Sequence, residues 1–172
     1  MAVVNLLSTA LSNIETTTPP VLNQPAFVGA NDFTAIGVIS NGASDSANST
    51  YRYFALPSNS IVFDVQMLNA ANTSGTSYEI GLYGYNGGAV ITNCAAVLAP
   101  AGLSQVTVRS VWTSVFFPAI TSGSASAANV GLTLWQLAGL SADPVTYYEI
   151  VMTAVTPGTV GVAVALKINW TR

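Results

Sequence analysis

The stretch "TVGVAVALKINW", residues 159–170, places Val160, Val162, Val164, Leu166, Ile168 and Trp170 on one side of an extended chain. Successive side chains of a strand point to opposite faces, so this alternation predicts a strand with one buried face. The other side carries Gly161, Ala163 and Ala165. Side chains this small let another backbone come close, whether from a second sheet, a helix or another subunit. A membrane helix needs about 20 apolar residues. This run is shorter, and Lys167 interrupts it.

The rest of the chain repeats the strand signal at short intervals. Segments rich in β-branched and aromatic residues occur at 33–39 (FTAIGVI), 50–56 (TYRYFAL), 60–68 (SIVFDVQML), 77–84 (SYEIGLYG) and 146–154 (TYYEIVMTA). Shorter runs lie at 89–93, 105–111 and 112–117. Turn-forming stretches separate them, the clearest being "SNGASDSANS" at 40–49. Short strands punctuated by turns predict an all-β sandwich or barrel, and an antiparallel β-sandwich is the form expected here. In the 60–68 segment, Ile61, Phe63, Val65 and Met67 share one face, and Val62, Asp64, Gln66 and Leu68 the other. "GYNGG" at 84–88 predicts a hairpin turn; a phosphate loop would need a following lysine and helix. One segment departs from the β pattern. In "ANVGLTLWQLAGLSADP" (128–144) Leu134, Leu137 and Ala138 recur at helical spacing before Asp143-Pro144, which predicts one short helix near 130–141. Upstream, "TTTPPVLNQP" (16–25) opposes helix, so residues 1–30 are expected to form an extended N-terminal arm and 31–172 the sandwich domain.

Charge is the scarcest commodity in this chain: 6% of residues are Asp, Glu, Lys or Arg, against roughly 25% in an ordinary globular domain. Four scattered basic residues, Arg52, Arg109, Lys167 and Arg172, cannot build a phosphate-tracking stripe, so no direct nucleic-acid partner is expected. No membrane partner is expected either. The apolar start, residues 1–15, lacks a basic region and runs into Glu15, unlike a signal peptide. With no histidine and a lone Cys94, nucleophile–histidine catalysis and zinc spacing are both ruled out, and no metal or cofactor is expected. Cys94 itself is expected to be a small buried hydrophobe. Paired-carboxylate hydrolysis needs two acids across one cleft. Asp64 with Glu79 on neighbouring strands, or Asp143 with Glu149, are the candidates. Outward strand positions, with Arg52 or Arg109 as partners, and a turn role for Asp143 explain them with less, so the chain is expected not to be an enzyme. The tyrosines at 51, 53, 83, 85, 147 and 148, with Trp112, Trp135 and Trp170, suit either a sugar platform or a protein interface.

Two long segments carry a family resemblance. "YRYFALPSNSIVFDVQMLNAANTSGTSYEIGLYGYNGGAV" (51–90) and "LWQLAGLSADPVTYYEIVMTAVTPGTVGVAVALKINW" (134–170) resemble head cement or decoration proteins of tailed bacteriophages. The matching positions are Leu56-Pro57-Ser58, Gly81-Leu82-Tyr83, and Leu134-Trp135 through Asp143-Pro144. The resemblance implies a β-sandwich of jelly-roll-like form on the outer surface of an icosahedral head, made in the host cytoplasm. Its implied partners are the major capsid protein and further copies of itself, as dimer or trimer. Candidate interface residues are Val3, Val4, Leu6, Leu7, Val21 and Leu22 in the arm, with Tyr83, Tyr85 and Trp135 in the domain. The competing expectation is a carbohydrate- or receptor-binding sandwich of a phage fibre or bacterial surface protein.

Overall fold

The computed structural model describes residues 3, 5–7, 12, 32–73, 75–98, 107–110 and 131–172. Its strands, in chain order, are β1 (Asn5–Leu7), β2 (Asp32–Ser40), β3 (Thr50–Pro57), β4 (Ile61–Asn69), β5 (Ser77–Gly84), β6 (Val90–Leu98), β7 (Thr107–Ser110), β8 (Tyr147–Thr156) and β9 (Ala163–Thr171). One four-residue helix, α1 (Leu134–Leu137), precedes β8. The predicted 112–117 strand lies outside the described residues.

Two sheets form, ordered β1-β3-β8-β5-β6 and β2-β9-β4-β7. Their pairs are nested: β2 with β9, β3 with β8, β4 with β7 and β5 with β6, all antiparallel. It is as though one long antiparallel ribbon had been rolled over itself. The exception to the antiparallel expectation is β1, which adds to the β3 edge in parallel. The inner faces meet in an apolar core, where Val65, Met67, Val164, Leu166 and Ile168 of one sheet pack with Ile80, Leu82, Ile150 and Met152 of the other.

Bulges decide which side chains enter that core. In β4 the register with β9 shifts between Val62 and Asp64, so two residues on β4 oppose one on β9. The phase of the strand flips there. Val62, Val65 and Met67 are buried while Phe63 stays 43% exposed, which corrects the predicted grouping of Phe63 with Val65 and Met67. In β3 a shift between Arg52 and Phe54 leaves Tyr51, Tyr53 and Phe54 all buried. Tyr53 spans the sandwich and donates its hydroxyl to the Val164 carbonyl of the opposite sheet at 2.9 Å. Gly37 makes room for that ring, since a Cβ there would sit 3.0 Å from Tyr53 Cδ1. The apolar face of β9 holds from Val164 onward. Val160 falls outside the strand, 59% exposed, beside a turn in which Gly161 takes φ +78°.

One end of the sandwich is closed by polar side chains. Tyr51 donates to Asp45 Oδ2 at 2.6 Å, Tyr78 donates to Asn41 Oδ1 at 2.9 Å, and Asn41 Nδ2 donates to Asn72 Oδ1 at 3.2 Å. These bonds tie the 41–49 and 70–76 loops to the core. Gly158 closes over them, and a Cβ there would overlap Asn41 Nδ2, Asn72 Oδ1 and the Tyr78 hydroxyl. Burial pushes the Tyr51, Tyr53 and Tyr78 hydroxyls above the ordinary tyrosine range, and Asp45 adds to the effect at Tyr51.

Two measurements probe this end. Gly158→Ala is expected to lower stability by about 1–3 kcal/mol through overpacking; denaturant unfolding reads it, and an unchanged midpoint contradicts the close fit. A raised folded-state tyrosine pKa leaves stability whole below the unfolded value of about 10 and removes it as pH rises further. Tyrosinate absorbance for these three residues is therefore expected to appear together with loss of the β circular dichroism, and not before it.

Candidate interaction surface

The opposite end of the sandwich brings the separated sequence motifs together. Ser58 of the 57–60 turn donates its hydroxyl to Asp143 Oδ1 and accepts from Thr146 N at 3.2 Å. Its own N–H bonds the Thr146 carbonyl at 2.8 Å. The start of α1 docks on the same turn, with Leu134 N donating to the Ser60 carbonyl at 2.9 Å and Trp135 N to the Ser58 carbonyl at 3.1 Å. A helix begins with unpaired N–H groups, and here the turn supplies their acceptors. Thr133 N bonds Gln136 Oε1 at 2.9 Å, and Gly139 at φ +77° ends the helix. Leu56-Pro57-Ser58 and the Leu134–Pro144 stretch are thus one structural unit.

That unit holds an unusual residue. Val145 has φ +50° and is 88% exposed. A β-branched residue in the left-handed region is strained, and strain of this kind clusters at active sites, ligand clamps and switch regions. Asp143 Oδ1 anchors it by accepting from Val145 N at 2.9 Å. Beside it Tyr147 is 47% exposed and its ring lies 5.4 Å from that of Tyr85. Pro57, Val145, Tyr147 and Arg172 line a cleft of about 200 Å³. An exposed valine and two exposed tyrosines therefore share this end.

Behind the tyrosine pair lies a buried ion pair. Arg52 Nε donates to Glu149 Oε2 at 2.6 Å, and Nη2 donates to Oε1. The Asn86 N–H gives Oε1 a further bond at 2.8 Å. The hairpin delivers it because Asn86 (φ 57°) and Gly87 (φ 76°) both adopt left-handed backbone, which Asn-Gly accommodates. Arg52 and Glu149 sit 97 residues apart in sequence, and only the β3–β8 register joins them.

The predicted site residues divide. Tyr85 is at this end; Tyr83 is half-buried, its hydroxyl 2.8 Å from Thr153 Oγ1 and raised in pKa by burial. Trp135 and Leu6 pack against the core, Leu7 is half-buried in β1, and Val3 is exposed. Val4, Val21 and Leu22 lie outside the described residues, as does Trp112. Cys94 is on β6, its side chain outside the described residues. Asp64 and Glu79 are not on neighbouring strands, because β4 and β5 belong to different sheets. Asp64 accepts from Asn169 Nδ2 at 3.2 Å. Asp143 and Glu149 are likewise engaged separately, by Ser58 and by Arg52. Of the proposed aromatic platform, Tyr51, Tyr53 and Tyr148 are buried. The sequence reading marked the small-residue side of β9 as open to close approach but did not foresee the exposed aliphatic residues beside it on the outer face of the β2-β9-β4-β7 sheet. There Ile36 and Val38 are 64% and 52% exposed, and a trough over Ala165 runs between Ile36 and Leu68. The small residues at 163 and 165 were the available signal.

The fold is therefore a two-sheet, almost wholly antiparallel β-sandwich, with the short helix α1 leading into β8. No protein-family model and no curated protein matches the sequence. The chain is similar to chains of solved structures. A chain in the capsid of Ralstonia phage GP4 superposes with a TM-score of 0.61 over 98% of this chain and 97% of that one, at 12% identity. A chain of the cyanophage Pam1 capsid asymmetric unit gives 0.47 at 9% identity, over 90% of this chain and 95% of that one. One from the capsid of Helicobacter pylori bacteriophage KHP30 gives 0.44 at 9%, over 84% and 90%.

Removing one partner of a buried ion pair strands the other charge. Arg52→Met or Glu149→Leu alone is expected to cost about 3–5 kcal/mol, and the two together less than either single change. Thermal unfolding of the three variants checks this; a double variant as damaged as the sum of the singles contradicts it.

Proposed function

We propose that this protein is a structural virion component, a cement or decoration protein that binds the outer surface of a phage icosahedral head and bridges neighbouring capsomers. The observation that carries the reading is the end-to-end likeness to a chain of the Ralstonia phage GP4 capsid. The nested strand pairing supports a jelly-roll-like winding. The motif resemblance points the same way. The scarcity of charge fits a subunit whose surface is buried against neighbours, where each unpaired charge would carry a desolvation cost of several kcal/mol.

On this reading the protein works mechanically and catalyses nothing. The strained Val145 with Tyr85 and Tyr147 forms a docking patch toward the major capsid protein, and the part of the 1–30 arm that follows β1, with Val21 and Leu22, reaches a neighbouring subunit. Repetition around the shell turns modest contacts into high avidity. With four basic and seven acidic residues, electrostatics has a small part in attachment.

The experiment compares particles with and without the protein. Particles lacking it are expected to keep their dimensions but release DNA sooner on heating or chelation. Adding back purified full-length protein restores resistance saturably and with little salt dependence, while a chain lacking residues 1–30 folds but restores it poorly. Unchanged heat resistance together with lost host adsorption would instead favour a receptor-binding sandwich.

A further inference from the structure

We infer that β2 is a self-association strand: two copies pair their β2 edges antiparallel about Ile36, joining two four-stranded sheets into one of eight strands. The inference stands on the geometry of one edge and does not rest on the virion reading.

Among the described residues the edge is open, and its direction of bonding is fixed by the ladder behind it. At the end of β2, Asn41 N donates to the Val162 carbonyl at 3.0 Å, one step beyond the Ser40–Ala163 pair. On the other side of β9, Ala70 N donates to the Ala163 carbonyl at 3.1 Å. Antiparallel partners alternate between bonded and non-bonded pairs. Even-numbered residues of β9 therefore bond to odd-numbered residues of β2, and odd-numbered ones to β4. The N–H and C=O groups of Thr34, Ile36 and Val38 are left pointing out of the sheet.

Natural edges are usually blunted by lysine, proline, a bulge or a covering segment. The β3 edge of the other sheet is covered by β1. Among the described residues β2 has none of these guards. Its nine-residue register with β9 is uninterrupted, it contains no proline or lysine, and its one charge is Asp32 at the first position.

A second copy fits this edge better than an arbitrary strand because the sequence is complementary to itself about Ile36. A two-fold axis there sets Ile36 against Ile36, Thr34 against Val38, and Asp32 against Ser40. No like charges oppose, and a serine hydroxyl faces each carboxylate. These five positions are the ones whose backbone groups point outward, so the pairing makes bonded pairs at each of them. A closed two-fold interface also uses up both edges, which leaves no β2 template for further growth.

Sedimentation of the full-length chain tests the inference alongside two variants. Wild type is expected to be a dimer. Ile36→Pro removes an N–H that bonds nothing in the monomer, so it should keep the far-ultraviolet circular dichroism and sediment as a monomer. In a Cys94→Ser background, Ile36→Cys should be trapped as a disulfide-linked dimer on mild oxidation. A bonded pair on the axis has Cα atoms about 5.5 Å apart, within disulfide range. Phe63→Cys, exposed on β4 of the same sheet, should not be trapped. A chain monomeric at every concentration overturns the proposal. So does a dimer that survives Ile36→Pro, or cross-linking through Phe63→Cys as efficient as through Ile36→Cys. If Ile36→Pro disturbs folding, the cysteine pair still decides. Dimerisation through β2 without protection of particles would sink the cement reading alone.

Discussion

The place of β9 between β2 and β4 is the constraint on which the four-stranded sheet depends. Unbroken pairing on one side and a single bulge on the other fix the strand so that Val164, Leu166 and Ile168 point into the core. The same pairing turns Ala163, Ala165 and Lys167 outward. Everything on that sheet follows from this: the trough over Ala165, the exposed Ile36 and Leu68 that flank it, and the unpaired edge of β2. Even the cross-sandwich bond of Tyr53 depends on β9, since the carbonyl it reaches belongs to Val164.

Charge is rationed across the fold in a way that separates structural from surface roles. Arg52 and Glu149 are almost fully buried together on the outward side of the five-stranded sheet, with the Asn86 turn closing over the carboxylate. Such a pair adds little net stability, because desolvation offsets the attraction, but breaking it is costly. It therefore fixes the position of the hairpin turn. Asp45 and Asp143 act locally, anchoring Tyr51 and the Ser58 turn respectively. The outward strand positions are mostly Thr, Ser, Ala and aliphatic residues, with Asp32, Asp64, Glu79 and Lys167 as scattered charges among them.

The two ends of the sandwich differ in kind. One is a network of buried amides and tyrosine hydroxyls with Gly158 packed over it, and it has no spare room. The other couples the 57–60 turn, α1 and the 143–147 stretch, and it leaves Val145, Tyr147 and Tyr85 exposed. Strain and exposed apolar area coincide at that second end.

The strands were legible in the sequence because side-chain alternation is a local property. The segment 77–84 forms β5 residue for residue, the inner face of β9 is the quoted alternation from Val164 onward, and Asn86-Gly87 makes the expected turn. Three things were not legible. The flip at Phe63 arises from a bulge set by pairing with Val62–Asp64's partners on β9, about a hundred residues away. The separation of Asp64 from Glu79 depends on which sheet each strand joins, and alternation is identical in either sheet. The Arg52–Glu149 pair exists only because β3 and β8 align in one register. Local patterning determined where the strands lie and which residues are apolar; only long-range backbone pairing decided which face was buried, which charges met and which edge stayed open.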